Sequence, residues 1–568
     1  MQKLWCVCPA DLDRSQALAQ AIGIHPLTAQ LLLNRGVTTP AQAHVFLDPS
    51  AQSLSDPFQL PAMADAIRRI RKAVTHSEPI LIFGDSDVDG LTSSLILYEA
   101  LRELGAVVRA QHSNRLNDGY GFPDSLARKL QRSSTALVLL VDCGTNQPET
   151  IQELQTRGID TIVVDHHVPL HPTNPAYACV NPYQDPGPGR ELCSAGLAFK
   201  LVQALWSDSD KRDDQRLESW LDLAALGTLA DYAPFLGDNR AIIRRGVSRI
   251  VNSHRPGLRQ LCAKTQTHTD NPDAIVRRLV PWLNASGRLG APQASWNLLE
   301  VRESADVEDC MSQVEAAHQT TKSLLRQSIC EAEAQVGRMH FRDHYVLLVA
   351  RTGWHQGVMG PIASQLLRRY ERPAIAIAFH PTGEGVGSGR SAASLFNMLE
   401  ALKTCQNFLE RFGGHAYACG LSIHSKNLDR FREALNRHGK ERLGPSGLLT
   451  TNRIDLELGM DALDSAWVSE LKRLEPFGVG NPRPTVVIRD LVGEMCSVRK
   501  GWLTDGKRRL MARGSCLGQM TSGIAYDGMG SPVFEDGEVV FTMIDVRRSV
   551  GPSPHDPSSG TPYRHALA

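Results

Sequence analysis

The sequence predicts an α/β protein, in which two α/β domains are joined by a long helix and followed by a β-rich domain. Three observations predict this architecture. Short apolar runs alternate with helix-like stretches over residues 79–165 and again over residues 345–424. Residues 300–337 lie between the two alternations and form a polar stretch without proline, which is typical of a connecting helix. Alternating strands and helices favour a parallel sheet that is covered on both faces.

The chain length also indicates several domains. The 568 residues exceed the ~100–200 residues that one hydrophobic core usually supports. We expect an N-terminal helical segment at 1–55, a first α/β domain at 56–300, a connecting helix at 301–338, a second α/β domain at 339–440, a β-rich domain at 450–550 and an unfolded tail at 551–568.

The composition excludes several classes of protein. Hydrophobic residues make up 42% and charged residues 21% of the chain, so neither a disordered protein nor a coiled coil is expected. No apolar run approaches the ~18–20 residues that a membrane span requires. The first residues lack the sustained apolar segment of a secretory signal, so we expect a cytoplasmic protein that does not bind membranes.

The charge balance excludes a globally basic nucleic-acid-binding protein, because the chain has 61 basic and 61 acidic residues. A local surplus remains at residues 240–290, where ten Lys or Arg residues face two acids. Such a segment either contacts nucleic-acid phosphates or forms a solvated helix face. The twelve cysteines contain no CxxC pair, which favours free thiols over a disulfide scaffold or a zinc site.

The first alternation contains four candidate strands and three candidate helices. Glycine closes two of the helices, as expected at helix C-termini. The strands are Ile80–Phe83, Val107–Ala110, Ala136–Val141 and Ile162–Val164, and the helices are Leu91–Leu104, Leu126–Leu130 and Glu149–Arg157.

The second alternation of strands and helices includes a glycine-rich stretch and ends in a turn and a strand. Its predicted strands are Tyr345–Val349 and Pro373–Phe379, and its predicted helices are Pro361–Tyr370 and Phe396–Lys403. The glycine-rich stretch Gly383–Ser391 is expected to form a loop, and Phe412–His424 a turn followed by a strand.

Acidic and histidine side chains follow three of the apolar runs in the first alternation. They are Asp85, Asp87 and Asp89 after Ile80–Phe83, Asp142 after Ala136–Val141, and Asp165, His166 and His167 after Ile162–Val164. In an open parallel sheet, ligands bind outside the carboxyl ends of the strands, so these side chains should meet in one crevice. A further acid, Asp231, follows a helix-like stretch and would reach the same place.

This group of side chains predicts a metal site. A single aspartate at a strand end is usually a helix cap, but three acid-terminated strands are harder to explain in that way. Massed carboxylates repel one another unless cations neutralise them, and oxygen ligands with imidazole suit Mn²⁺ or Mg²⁺ better than zinc. Two such ions ~3.5–4 Å apart would support metal-assisted phosphoester hydrolysis. An EF-hand calcium loop is excluded, because Ile96 stands where that loop needs glutamate.

Three further stretches supply cations and backbone amides that would bind a phosphate. The stretch GVGSGRS contains Arg390, RFGGHAYACG places His415 after two glycines, and NASGRLG places Arg288 at the end of the basic segment. A glycine-rich loop that cradles a phosphate uses such residues, although an ordinary turn is the commoner explanation.

These motifs resemble those of a known family. FGDSDVDGLTSS, VDCG, VDHH and GTLADYAP resemble the four motifs of the DHH phosphoesterases. GWHQGVMGPIASQLLRRY, GVGSGRS and RFGGHAYACG are similar to the accessory DHHA1 domain. Within this superfamily, NRLNDGYGF, CSAGLAFKL, NASGRLG and LEPFGVGNP resemble the RecJ family of bacterial single-strand exonucleases. The resemblance covers roughly residues 20–500 and implies a DHH parallel-sheet domain, a DHHA1 α/β domain after a long helix, and a C-terminal OB-like domain.

The resemblance also implies roles for individual residues. The metal ligands would be Asp85, Asp87, Asp89, Asp142, His166 and Asp231, with Asp85 either a ligand or a neighbour of the ligands. Asp165 would orient an imidazole, His167 would face the scissile phosphate, and His415 would complete the site from the accessory domain. The DNA backbone and a 5′ phosphate would be held by Arg115, Arg288, Ser388, Gly389, Arg390, Gly413 and Gly414.

The implied activity is 5′→3′ removal of nucleotides from single-stranded DNA with two Mn²⁺ or Mg²⁺ ions, in DNA repair and recombination. Implied partners are single-stranded DNA, single-strand-binding protein and a RecQ-type helicase. Two alternatives stay open. One is a DHH phosphodiesterase that acts on short RNA or small nucleotides, and the other is a non-catalytic DNA-binding scaffold of the same fold.

Two departures from the family pattern stand out. Ser86 occupies a position in the first motif where an aromatic residue is usual, and the match weakens after Lys500. Beyond that point, Trp502 with Lys507, Arg508 and Arg509 would belong either to a DNA-binding groove of the OB-like domain or to an ordinary exposed hairpin.

Overall fold

The computed structural model describes residues 3–48, 54–130, 132–184, 187, 189–207, 214–341, 343–392, 396–444, 451–494, 497 and 499–549. The chain divides into two compact units, one of residues 54–448 and one that combines residues 1–53 with residues 449–568. The predicted tail at 551–568 lies outside the described residues. Of the helices described, none is both long enough and apolar enough to cross a membrane.

The N-terminal segment begins with a strand and continues as three short helices. These elements are β1 (Leu4–Val7), α1 (Leu12–Ile22), α2 (Pro26–Leu33) and α3 (Pro40–Leu47).

The first α/β domain follows. Its elements are α4 (Met63–Thr75), β2 (Ile80–Gly84), α5 (Val88–Glu103), β3 (Val108–His112), α6 (Asp124–Leu130), β4 (Leu137–Val141), α7 (Pro148–Gln155), β5 (Asp160–Val164), β6 (Ala178–Val180), α8 (Ser194–Ser207), α9 (Asp214–Ser219), α10 (Leu221–Ala230), α11 (Gly237–Val251), α12 (Pro256–Lys264), α13 (Pro272–Arg278), α14 (Val280–Arg288) and α15 (Gln293–Glu300).

A 30-residue helix and the second α/β domain complete this unit. The elements are α16 (Val307–Val336), β7 (Leu347–Thr352), α17 (Met359–Tyr370), β8 (Ala374–Phe379), β9 (Glu384–Arg390), α18 (Met398–Thr404), β10 (Arg411–Gly414), β11 (Ala418–His424) and α19 (Leu428–Leu443).

The C-terminal part is mainly β-structure. Its elements are β12 (Thr451–Ile454), β13 (Leu456–Leu458), α20 (Ser465–Glu470), β14 (Val486–Glu494), β15 (Lys500–Thr504), β16 (Arg509–Arg513), β17 (Ala525–Glu535) and β18 (Glu538–Arg548).

The first sheet is parallel throughout, with the order β3-β2-β4-β5-β6. Strands β2 and β4 are buried along their whole length because helices cover both faces, which explains their continuous apolar runs. Strand β3 pairs with one edge of β2, and β4 pairs with its other edge. The order of the strands therefore reverses at β2, and a topological switch point lies between β2 and β4. Ligands bind at such a point in open α/β sheets. The prediction of a parallel sheet is confirmed, and β6 is a strand that the sequence pattern did not reveal.

The second sheet is mixed, with the order β10-β11-β9-β8-β7, and only β7 and β8 run parallel. Helices α16 and α17 pack against one face, and α18 and α19 against the other. The prediction that Gly383–Ser391 forms a loop is wrong, because Glu384–Arg390 is strand β9. Its glycines fit a buried strand: a Cβ at Gly385 would approach Phe379 to 2.5 Å, and one at Gly387 would approach Ile377 to 2.9 Å.

The second unit is a β-barrel to which the N-terminal helices are attached. The sheet order is β13-β14-β15-β16-β18-β17, and β14 also pairs with β17, which closes the barrel. Strand β1 pairs in parallel with β12. Leu27 and Leu31 of α2 share a core with Trp467 and Phe541 of the C-terminal part. The predicted OB-like character of this domain is confirmed, whereas its union with the N-terminal helices was not predicted.

The residues predicted as either a groove or a hairpin lie in β15, β16 and the turn between them, where Thr504 pairs with Arg509. The Arg509 guanidinium lies 5.1 Å from the Trp502 ring centroid. The hairpin is therefore present, and DNA binding by it stays a prediction.

The basic segment at 240–290 contains internal ion pairs rather than one continuous basic surface. Arg255 is fully buried and donates hydrogen bonds to Glu99 and Asp222. Arg245 and Arg249 both pair with Glu218. These three of the ten basic residues therefore have carboxylate partners within the domain.

Candidate active site

Most of the acids lie in the loops at the carboxyl ends of β2, β4 and β5, whereas Asp89 lies in the first turn of α5 and Asp231 follows α10. Asp87 caps helix α5, because its carboxylate accepts a hydrogen bond from the Gly90 N–H. Asp142 directly follows β4 and has a φ of 60°, a left-handed conformation that is uncommon outside glycine. Such strained backbone positions cluster at functional sites, where the surrounding structure enforces them.

His166 lies at the centre of this group. Its Nε2 is 3.4 Å from Asp142 Oδ1 and 3.9 Å from Asp89 Oδ2. Its Nδ1 is 3.8 Å from Asp231 Oδ2. The predicted convergence of Asp231 with the strand-end acids is therefore observed, although Asp231 follows α10 rather than a strand.

The donor atoms lie close enough together that one cation could contact all the atoms of a group. Ligand atoms lie within 4.8 Å of one another in four sets: Asp89 with His166 and Asp231, Asp85 with Asp87 and Asp142, Asp142 with Asp165 and His167, and His166 with His167 and His415. Asp142 belongs to the second set and approaches His166 of the first. The carboxylate-rich donors with one or two imidazoles fit Mn²⁺ or Mg²⁺.

Asp85 differs from the other acids because protein donors surround its carboxylate. Its Oδ1 accepts hydrogen bonds from the Ser86 N–H at 2.7 Å, the Ser113 hydroxyl at 2.5 Å and Arg115 Nε at 2.9 Å. Arg115 also pairs with Asp87 at 2.8 Å. Arg115, predicted to contact DNA, is thus held against the acids at the rim of the site.

The N-terminus of α8 contributes donors that the sequence analysis did not assign. The backbone N–H groups of Ser194 and Ala195 each donate to the Asp89 carboxylate at 2.9 Å. The Ser194 hydroxyl donates to Asp142 Oδ1 at 3.0 Å. A helix N-terminus stabilises negative charge, so α8 fixes the orientation of both acids.

His167 is oriented from two sides. Its Nδ1 lies 2.7 Å from Asp165 Oδ1, and Asp165 is buried and also accepts a hydrogen bond from the Thr145 N–H. The Tyr120 hydroxyl lies 3.1 Å from Nδ1 and 3.3 Å from Nε2 of His167, and it donates to the Asp142 carbonyl at 3.0 Å. Asp165 therefore contacts an imidazole as predicted, whereas Tyr120 is an additional partner.

Burial and the closeness of the carboxylates shift the pKa values of these acids. Burial, together with the charges of Asp87 and Asp89, raises the pKa of Asp142 well above its usual value. Burial also raises the pKa of Asp231 to about 7. Burial alone would raise the pKa of Asp85 as well, but the charge and hydrogen bonds of Arg115 lower it. The site holds more negative charge than its protein partners balance, which is a property of cation-binding sites.

Three arginines form a cationic group beside the acids. Burial lowers the pKa of Arg288 to about 10, and the charges of Arg390 and Arg115 contribute to that lowering. Arg390 and Ser388 lie on one face of β9, next to Gly360 at the start of α17, where a Cβ would lie 2.9 Å from Arg390 Nη2. Three neighbouring cations favour a bound anion such as a phosphate. The structure thus places Arg115, Arg288, Ser388 and Arg390 near one another, and their contact with DNA stays a prediction.

The accessory domain places His415 over the histidines of the first domain. The ring centroid of His415 lies 5.3 Å from that of His166 and 4.9 Å from that of His167. On its other side it stacks on Tyr417 at 5.5 Å. Its Nε2 is buried without a hydrogen-bond partner among the described residues. A buried nitrogen of this kind is available to a ligand.

The predicted phosphate-binding glycines have different surroundings. Gly389 lies inside β9, pairs with Cys419 and Ile375, and is buried, so its backbone groups belong to the sheet. Gly414 has a φ of 127° and allows the tight connection from β10 to β11. Gly413 has open space beside it. Gly389 is therefore buried within the sheet, whereas the Cβ position of Gly413 faces open space.

The sequence analysis missed partners that contact the site through hydrogen bonds. They are Ser113, Tyr120, Thr145 and Ser194. Tyr120 lies in the quoted motif NRLNDGYGF, and Ser194 in CSAGLAFKL, so the motifs marked the right segments without identifying which side chain acts.

Comparison with known families agrees with the three domains. Residues 79–228 match the N-terminal domain of the DHH family, residues 343–441 match the DHHA1 domain, and residues 454–512 match the RecJ OB domain.

Individual relatives agree with these family matches. The chain is 33% identical to the single-stranded-DNA-specific exonuclease RecJ of Dickeya dadantii, over 81% of this chain and 82% of that protein. It is 32% identical to the protein of that name from Bacillus subtilis, over 87% of this chain but 62% of that protein, so it spans less than two thirds of this relative's length. The crystal structure of RecJ with Mn²⁺ from Thermus thermophilus superposes with a TM-score of 0.80, at 25% identity, covering 96% of this chain and 80% of that one.

Proposed function

Because the chain belongs to the RecJ family of DHH phosphoesterases, we propose that it is a metal-dependent exonuclease that degrades single-stranded DNA in the 5′→3′ direction. The observation that carries this proposal is the arrangement around His166. Carboxylates that follow β2, β4 and α10 meet this imidazole at the switch point of a parallel sheet, and three arginines lie beside them.

The proposal assigns two cation sites to the chain. Asp89, His166 and Asp231 would form one, and Asp87 with Asp142 the other, with Asp142 close enough to serve both. Asp85 would position Arg115 rather than bind a cation, because protein donors already occupy its Oδ1. Bound Mn²⁺ or Mg²⁺ ions would supply an activated water and stabilisation of the charge on the phosphoryl oxygens.

The protein residues would orient the substrate for that reaction. Asp165 and Tyr120 contact the His167 ring, and this ring would face the scissile phosphate. From the accessory domain, the Nε2–H of His415, which has no hydrogen-bond partner among the described residues, would donate a hydrogen bond to the same phosphate.

The 5′→3′ direction of degradation would be determined by the arginines. Arg288, Arg390 and Ser388 would bind a terminal 5′ phosphate, and this contact would select the 5′ end over the 3′ end.

The cellular setting is also a proposal. Single-stranded DNA would be the substrate, and single-strand-binding protein and a RecQ-type helicase would be the partners that supply it in repair and recombination. We place this activity in the cytoplasm.

The test is digestion of single-stranded DNA labelled at the 5′ or the 3′ end, with Mn²⁺, Mg²⁺ or EDTA. Wild type should release the 5′ label as a mononucleotide when a metal is present, while the 3′-labelled strand shortens step by step. Asp142→Asn is the matched inactive variant, because asparagine tolerates the left-handed conformation at this position. It should bind DNA without cleaving it.

Other outcomes identify the alternatives. Cleavage of short RNA or small nucleotides, with long single-stranded DNA left intact, would replace the exonuclease by a small-substrate phosphodiesterase. DNA binding by wild type without cleavage in any metal would identify a scaffold.

A further inference from the structure

One of the four donor sets differs from the other three in its chemistry. His166, His167 and His415 offer three imidazole nitrogens within 4.8 Å of one another, whereas each of the other sets contains two or more carboxylates. Carboxylate oxygens suit Mg²⁺ and Mn²⁺, but imidazole suits Zn²⁺ and its neighbours among the transition metals. The proposed catalytic cations therefore do not account for the set that consists of imidazoles alone.

The spacing of the three rings fits one tetrahedral zinc ion. The ring centroid of His415 lies 5.3 Å from that of His166 and 4.9 Å from that of His167, and the centroids of His166 and His167 are 4.9 Å apart. Because Zn–N distances are ~2.0–2.1 Å, imidazoles that share a tetrahedral zinc ion have centroids about 5 Å apart. The three rings thus lie at the separations that a shared zinc ion requires.

Two of the rings have a nitrogen that is available to an ion. The Nδ1 of His167 lies 2.7 Å from the buried Asp165 carboxylate, which is the usual support of a histidine that binds zinc through its other nitrogen. The Tyr120 hydroxyl near that nitrogen donates its proton to the Asp142 carbonyl instead. The Nε2 of His415 is buried without a partner among the described residues, so it offers a lone pair in the tautomer that carries its proton on Nδ1.

We propose that His166, His167 and His415 form an inhibitory zinc site that joins the first domain to the accessory domain. This inference rests on the proposed function, in which His167 and His415 face the scissile phosphate. A zinc ion between the rings would exclude that phosphate, and it would take His166 from the cation site with Asp89 and Asp231. Zinc binds nitrogen ligands more tightly than Mn²⁺ or Mg²⁺ does, so inhibition should occur even in excess Mg²⁺.

The first test measures metal binding without catalysis. Co²⁺ is the probe, because it enters zinc sites and absorbs visible light far more strongly in tetrahedral than in octahedral coordination. In excess Mg²⁺ and without DNA, wild type should bind Co²⁺ with this strong absorption, and Zn²⁺ should abolish it. His415→Gln and His167→Gln should each lose the absorption, because only two imidazoles remain.

The control for this test changes a histidine outside the group. His344→Gln removes an accessory-domain imidazole whose Nδ1 contacts the His340 carbonyl, and it should keep the absorption of wild type. An absorption that wild type lacks, or that either His415→Gln or His167→Gln retains, would overturn the proposal.

The second test measures inhibition. Zn²⁺ added to a digestion in excess Mg²⁺ should inhibit wild type, and a chelator that prefers zinc to magnesium should restore activity. Half-inhibition of His415→Gln should need about tenfold more Zn²⁺ or above, since even the loss of a residue that only supports a metal ligand lowers affinity ~10–100-fold. His344→Gln should behave as wild type. Half-inhibition of His415→Gln at the wild-type concentration would mean that zinc replaces the catalytic cation at the carboxylates, and it would overturn the proposal.

The two proposals can fail separately. If wild type cleaves no DNA in any metal, the exonuclease proposal fails, and the Co²⁺ absorption of wild type and the three variants still tests the zinc site. If wild type cleaves DNA but gives no such absorption, the exonuclease proposal stands and the zinc site is wrong. The absorption also decides the result if His415→Gln has too little activity for an inhibition measurement.

Discussion

The His166 imidazole lies 3.4 Å from the Asp142 carboxylate, although the two residues follow different strands. Parallel pairing of β4 with β5 puts the ends of both strands at the same edge of the sheet. The contact joins the two proposed cation sites, because Asp142 groups with Asp85 and Asp87, whereas His166 groups with Asp89 and Asp231. Asp142 is therefore the residue whose loss should affect both sites together.

We expect Asp142→Asn to reduce kcat by more than about a hundredfold, because even residues that only support metal ligands contribute up to ~100-fold. In EDTA the variant should melt at a higher temperature than wild type, since it removes one of several repelling carboxylates whose pKa values are raised. Thermal unfolding with and without Mn²⁺ provides the measurement. A variant that gains as much stability from Mn²⁺ as wild type would show that Asp142 does not bind the ion.

Arg390→Gln should weaken the use of 5′-phosphorylated strands. A charged hydrogen bond contributes about 1.5–3 kcal/mol, so kcat/KM should fall about tenfold or more on these strands and far less on 5′-hydroxyl strands. Arg430→Gln removes the same charge from α19, on the opposite face of the sheet, and serves as the control. Equal losses on both kinds of end would remove Arg390 from end recognition.

Tyr120→Phe tests how His167 is positioned. The hydroxyl contacts the His167 ring and donates to the Asp142 carbonyl, so its removal frees the ring without removing a proposed metal ligand. We expect kcat to fall about tenfold while KM and the stabilisation by Mn²⁺ stay near the wild-type values. Steady-state kinetics and thermal unfolding distinguish this outcome from a structural defect, in which KM and melting temperature would change as well.

The convergence of the acids could be predicted from the sequence because a general rule for parallel sheets applies to it. Ligands gather at the carboxyl ends of parallel strands, and Asp85, Asp142 and His166 each follow such a strand. The approach of Asp231 also agrees with expectation, but it depends on the packing of α10 against α5. At Gly227 a Cβ would lie 2.4 Å from Thr92 Oγ1 and 3.0 Å from Asp89 Oδ1. This close approach is a tertiary property that no local pattern contains.

Glycine-rich stretches were harder to interpret from the sequence. The glycine-rich stretch at residues 383–391 resembles a loop, yet Glu384–Arg390 forms a strand, and the Phe379 and Ile377 side chains occupy the space that Cβ atoms at Gly385 and Gly387 would need. The basic segment was ambiguous for a related reason. Charge counts do not show that Arg255 has Glu99 and Asp222 as buried partners, since Glu99 is distant in sequence.

The buried ion pair between Glu99 and Arg255 is expected to stabilise the first domain. Arg255 donates two hydrogen bonds to Glu99, and Trp220 donates a third at 2.9 Å. Glu99→Gln would leave Arg255 with an incomplete set of charged partners, which should lower the free energy of unfolding by about 3 kcal/mol at pH 7. Glu103→Gln, at the end of the same helix, breaks a half-exposed pair with Arg216 and should cost about 1 kcal/mol or less.

The pH dependence of this difference follows from the pKa of Glu99. Burial would raise that pKa, but the hydrogen bonds and charge of Arg255 lower it below the usual 4.5. A carboxylate with a lowered pKa contributes its full stability above the pKa of the unfolded chain and loses it as the pH falls through the folded pKa. Urea unfolding should therefore show a constant difference between wild type and Glu99→Gln at neutral pH, and a shrinking difference below about pH 4.5. A difference that vanishes already near neutral pH would mean that the folded pKa of Glu99 is raised, so that burial outweighs the Arg255 pair.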